Sequence, residues 1–118
     1  DWLRVRSLHR TGRFDEALTE SEALLATPAG RTLASELHAL RGRIFQEQKR
    51  DCERTLREFV ALVGEPGPRG DDAVLRRAEC LETLGLTSHA ARPYEQYLAR
   101  PDARRDRQAR SRLSKLRE

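Results

Sequence analysis

The residues to weigh first for chemistry are three histidines, two cysteines and a few adjacent carboxylates. General acid–base work needs a His or carboxylate held against a second titratable group, and a nucleophile needs a base beside it. His9, His38 and His89 lie far apart, and none has a carboxylate or thiol at a recognisable spacing, so each reads as an ordinary helix residue. No Gly-rich phosphate loop, His-Glu-x-x-His or Gly-x-Ser-x-Gly segment occurs. Asp15-Glu16 and Asp71-Asp72 fall at expected helix starts, where negative charge favours the positive end of the dipole, and they are assigned capping roles. Cys52 and Cys80 admit one disulfide by count, or two small thiols buried in a core. A metal site would need more ligands than remain. No enzymatic activity, cofactor, metal or small-molecule substrate is expected.

The elements that position these residues follow from composition and punctuation. The 118 residues suit a single domain with a modest core. Charged residues make up 36% and aromatics 5%, with Ala, Leu, Glu and Arg dominant, a mixture that favours helices. Ile occurs only at Ile44 and no run alternates strictly, so a sheet lacks its material. No apolar stretch approaches the roughly 18 residues of a membrane span, and Asp1-Trp2-Leu3-Arg4 does not open a signal peptide. The absence of an initial Met, with a start part-way into a helix, reads as a domain cut from a longer protein.

Breakers at Thr27-Pro28-Ala29-Gly30, Gly64 to Gly70 and Arg100-Pro101-Asp102 divide the chain into three segments. Shorter turns at Thr11-Gly12-Arg13, Lys49-Arg50-Asp51 and Leu84-Gly85-Leu86-Thr87 split each again. The second helices align with offsets of 38 and 35: Phe14, Cys52 and Thr87 open them; Ala17, Thr55 and Ala90 follow, then Ser21, Phe59 and Tyr94, and finally Leu25, Val63 and Leu98. The first helices align with offsets of 37 and 36, in the columns Val5, Gly42, Ala78; Leu8, Phe45, Leu81; and Arg4, Arg41, Arg77. Spacings of three and four put the apolar positions on one stripe that a neighbour must cover. Both offset series place one extra residue in the middle pair's turn. Pro93 conflicts with its helix: either the helix starts near Ala91 or Arg92, or it kinks.

This pattern resembles the tetratricopeptide repeat. The period is near 34 residues, Gly12-Arg13-Phe14-Asp15-Glu16-Ala17 matches the turn and helix start, Gly42 and Phe45 give small-then-large, and Pro28, Pro66 and Pro101 close the copies. The middle copy departs with Arg50 for Gly and Thr55 for Ala, and no copy carries the usual Trp. The resemblance implies an all-α fold: a right-handed α-solenoid of about three antiparallel hairpins, near 1–27, 32–64 and 71–100, with a capping helix near 102–117 whose N-cap is Asp102. It places the start of Cys52's helix beside the helix of Cys80, so a bridge fits the geometry, while two free core thiols fit equally.

In such folds the first helices line a concave surface that binds peptides or helices. Carried over here, the partner-binding positions are Trp2, Arg6, His9 and Arg10, then Glu36, Ala39, Arg43 and Gln46, then Asp72, Leu75, Glu79 and Glu82. The groove would run from basic to acidic and favour a partner with the reverse order of charge and an apolar residue near Trp2 or Leu75. Family members that clamp a terminal carboxylate use Asn and Lys, and this chain has no Asn. The third copy's wording is similar to bacterial envelope proteins with such repeats, which favours periplasm over cytoplasm. The expected role is a protein-interaction module or scaffold within a larger bacterial protein, with self-association through an end helix as a further option.

The alternative is nucleic-acid binding. The net charge is +4, and Arg100, Arg104, Arg105, Arg107, Arg110, Arg112, Lys115 and Arg117 crowd the tail. Interspersed Asp102, Asp106 and Glu118, and the lack of a tail aromatic to stack on bases, argue for a solvated helix face instead. The excess of Arg over Lys is explained more simply by a GC-rich genome.

Overall fold

The computed structural model describes residues 1–118, which form helices joined by turns, with no strand. The helices are α1 (Trp2–Arg10), α2 (Phe14–Leu25), α3 (Pro28–Arg31), α4 (Ala34–Arg43), α5 (Cys52–Phe59), α6 (Pro68–Thr83), α7 (Thr87–Leu98) and α8 (Asp106–Leu116). A π-helical turn, Ile44–Gln48, continues α4. Principal contacts join α1 to α2, α2 to α4, α4 to α5, α5 to α6, α6 to α7 and α7 to α8, in a body of 45 × 27 × 21 Å. No helix is long and apolar enough to cross a membrane.

Three apolar clusters follow one another along the long axis, because each helix stripe needs the next helix to cover it. Val5, Leu8 and Ala17 pack with Leu37, Leu40 and Ile44. Ala39 packs with Phe59, Leu62 and Ala73. Val74, Leu75 and Ala78 pack with Ala90, Tyr94, Tyr97, Ala109 and Leu113, so α8 lays its one apolar face on the last pair. Side-chain caps hold three helix starts: Asp1 accepts from the Arg4 N–H, Thr27 from Gly30 and Asp51 from Arg54.

The sequence columns reappear as equivalent contacts. The Arg13 N–H donates to the Leu8 carbonyl at 2.9 Å, Asp51 to Phe45 at 2.8 Å and Leu86 to Leu81 at 2.9 Å, closing three like turns. Arg4 reaches Glu20 and Arg41 reaches Glu58, each at 3.2 Å; the third copy has Pro93 in that column, and Arg77 makes no ion pair. Val5, Gly42 and Ala78 are all buried. A Cβ on Gly42 would lie 2.7 Å from the Phe59 ring, so the missing side chain makes room for the aromatic residue of the facing column.

Several expectations need correction. The extra residue of the middle pair lies in the π turn, where the Lys49 N–H donates to the Ile44 carbonyl, and so widens the end of α4 rather than the connection. The breaker at Thr27 to Gly30 is itself mostly a short helix. A Cβ on Gly30 would meet the Leu24 carbonyl oxygen at 1.7 Å, which is why glycine stands there. α7 begins at Thr87, so the late start is excluded and Pro93 is buried inside it. The carbonyl that Pro93 leaves without a donor belongs to the exposed first turn, where water reaches it. α5 ends at Phe59, before Val63, and α8 starts at Asp106, so Asp102 caps nothing.

Gly12, Arg50 and Gly85 occupy the same turn position with φ of 79°, 53° and 78°. A left-handed conformation costs a non-glycine residue roughly 1–2 kcal/mol. Arg50→Gly is therefore expected to raise stability by about 0.5–1 kcal/mol in urea unfolding, after allowance for the freer unfolded chain. An unchanged or lower midpoint would contradict the equivalence of the three turns.

Candidate functional site

Trp2, Arg6, His9 and Arg10 recur at three- and four-residue spacing, which sets them on one face of α1. They line a depression of about 330 Å³ with Glu36, Ala39, Leu40 and Arg43 of α4 and Arg69 of α6. A second depression, of about 260 Å³, is lined by Arg43, Asp72, Leu75, Tyr97, Arg104 and Arg105, among others. Arg43 belongs to both, so the two adjoin. The structure thus brings together Trp2, Arg6, His9, Arg10, Glu36, Arg43, Asp72 and Leu75. Glu79 and Glu82 stand apart in a third depression beside Gln108 and Arg112 of α8.

The expected basic-to-acidic polarity does not survive this arrangement, because the carboxylates already have partners. Glu36 takes Arg69 at 3.0 Å. Asp71 is paired with Arg100, whose guanidinium also donates to the carbonyls of Val63 and Glu65. Asp72 accepts from Arg76 at 2.8 Å and faces Arg105 at 3.5 Å and Arg43 at 3.8 Å. Glu82 receives both Arg112 and the Tyr94 hydroxyl, while Glu79 receives Gln46 and Gln108 at 3.3 Å each. Leu75 is 1% exposed, which makes it core rather than an apolar anchor for a partner. Trp2, half-buried under the Arg6 guanidinium at 5.9 Å, is the aromatic surface left on the rim.

Burial raises the Tyr94 pKa to about 12, with the nearby Glu79 charge adding to it. A phenol whose folded pKa exceeds its unfolded value of 10 contributes stability in full below pH 10 and loses it as pH rises toward 12. Ultraviolet titration of the folded protein should therefore show a tyrosine with a midpoint near 12. Ionisation of Tyr94 by pH 10.5 without unfolding would contradict the packing around it.

Arg69, Arg104 and Arg105 were missed by sequence reasoning. The breaker from Gly64 to Gly70 reads as a loop that holds Arg69, although Pro68 signals a helix start at its N1 position. The expected tail helix includes Arg104 and Arg105, but they precede α8 and line the second depression. His38 does have a carboxylate: its Nδ1 is 2.9 Å from Glu58, which also binds Arg41. None of the larger depressions opens on that cluster, and Arg41 is tied to Ser21 and the Leu18 carbonyl, so the group holds α2, α4 and α5 together. Of the Arg-rich tail, Arg100, Arg105, Arg110, Arg112 and Arg117 have carboxylate partners within 4 Å. Cys52, at the start of α5, is bridged to Cys80 in α6, with Cα atoms 5.1 Å apart.

No protein-family model matches this chain, and no curated protein and no solved structure is significantly similar to it.

Proposed function

We propose that this domain is a tetratricopeptide-like, right-handed solenoid that works as a protein-interaction module, holding a peptide or helix of a partner against α1, α4 and α6. The observation that carries this reading is the convergence of one face of α1 (Trp2, Arg6, His9 and Arg10) with Glu36 and Arg43 of α4 and Asp72 of α6 on two adjoining depressions. The three equivalent turn hydrogen bonds and the Gly42–Phe59 contact support a repeating template. The Cys52–Cys80 bridge suits an oxidising compartment such as the periplasm.

Selection of binders from an unbiased peptide display library tests it. Peptides mapped by amide shifts of the labelled protein should perturb α1, α4 and α6, and Trp2→Ala should weaken them about tenfold or more. Binders that perturb α2, α5 and α7 instead, or a library that yields none, would overturn the groove.

A further inference from the structure

We infer that the groove selects an acidic segment of a protein partner, with carboxylates on Arg6 and Arg10 at one end and on Arg104 and Arg105 at the other, and an apolar side chain against Trp2. This rests on the reading of the groove as a binding surface and specifies what that surface selects. Its two depressions hold six arginines against four carboxylates. Depth matters more than number. The side chains of Asp71 and Asp72 are 12% and 17% exposed, while those of Arg43 and Arg105 are 47% and 49% exposed. Asp71 and Asp72 are sunk and internally paired, and Glu36 is held by Arg69; Asp102 alone among the four is exposed and without an ion pair, against six cations. Arg6, Arg10 and Arg104 are exposed and make no ion pair within the chain. Guanidinium forks bind carboxylates in bidentate fashion, and a like-signed row of them steers oppositely charged partners.

A nucleic acid fits this surface less well. Tyr97 is buried and its oxygen accepts from the Arg105 N–H, so it offers no face for a base. Asp72 lies among the cations where a phosphate track would run. The first depression instead provides the half-buried face of Trp2 beside Arg6 and Arg10, over a floor closed by the buried Ala39 and Leu40, which suits a side chain such as Leu flanked by acids.

Fluorescence anisotropy decides the matter with four labelled probes: a peptide of alternating Glu and Leu, the same peptide with Gln for Glu, the same with Lys for Glu, and a single-stranded DNA of equal charge. The acidic peptide should bind at least about tenfold tighter than the Gln peptide, and more weakly as salt rises. Arg6→Glu with Arg10→Glu should erase that preference without altering the helical circular dichroism. Arg57→Glu, on α5 outside both depressions, should leave it intact. Equal binding of the Glu, Gln and Lys peptides, all weakened alike by Trp2→Ala, would overturn the acidic preference while keeping the groove. An acidic preference indifferent to Arg6 and Arg10 would overturn the groove itself, and DNA binding as tight as the acidic peptide would overturn a protein partner.

Discussion

Phe59→Ala is expected to lower unfolding stability by about 4 kcal/mol, a value usual for removing a buried aromatic ring. Phe59 is 1% exposed and forms the central cluster with Ala39, Leu62 and Ala73. Its ring occupies the place of a side chain at Gly42, so the two positions should be strongly coupled. Gly42→Ala alone drives a methyl to 2.7 Å from that ring and is expected to cost about 2 kcal/mol. Combined with Phe59→Leu, the same substitution should cost less than the sum of the two single changes by about 1 kcal/mol or more. Urea unfolding of the four proteins gives the coupling directly. Additive losses would mean that the ring does not pack on Gly42, and the close approach of α4 and α5 would fall with it.

Removing the Cys52–Cys80 bridge is expected to cost about 3.5 kcal/mol, the chain-entropy value for a closed loop of this length, with 28 residues of separation. Both positions are buried, so Cys52→Ala with Cys80→Ala is the suitable variant; it leaves no unpaired hydroxyl inside. A fall in stability of less than about 1 kcal/mol would show that α5 and α6 are held without the bridge. Thiol counting on the denatured, unreduced protein is the independent check, since two free thiols there would exclude the disulfide. The bridge ties the middle pair of helices to the last one, and no ion pair spans α5 and α6, so reduction should loosen that junction first. Hydrogen exchange at Thr55 and Cys80 amides would record it.

Much of the helical framework was legible because the information is local. Stripes of apolar residues at three- and four-residue spacing define a helix face, and Gly12 and Gly85 mark turns that require positive φ. The columns Leu8, Phe45, Leu81 and Val5, Gly42, Ala78 could be aligned by eye because the offsets of 37 and 36 recur along the chain. The count of one extra residue in the middle copy was also legible. Its place was not, since a π turn within α4 and a longer connection leave the same offset. The short α3 was hidden by Pro28 and Gly30, which read as breakers; Thr27 caps the helix, and the bare Cα of Gly30 fits against the Leu24 carbonyl.

The candidate groove was legible in its members and not in its electrostatics. Repeat register named Trp2, Arg6, His9, Arg10, Glu36 and Arg43, because residues on one face of neighbouring helices share a surface. Whether a carboxylate on that surface remains available depends on which arginine, some thirty positions away, comes within 4 Å of it. Arg112 on Glu82 and Arg69 on Glu36 are such pairs. Most of the helices and their apolar stripes can be read from residue order alone, since backbone periodicity and turn geometry act over a few residues. Which charges cancel and which reach outward is set by folding, because ion pairing depends on distances between segments that are far apart along the chain.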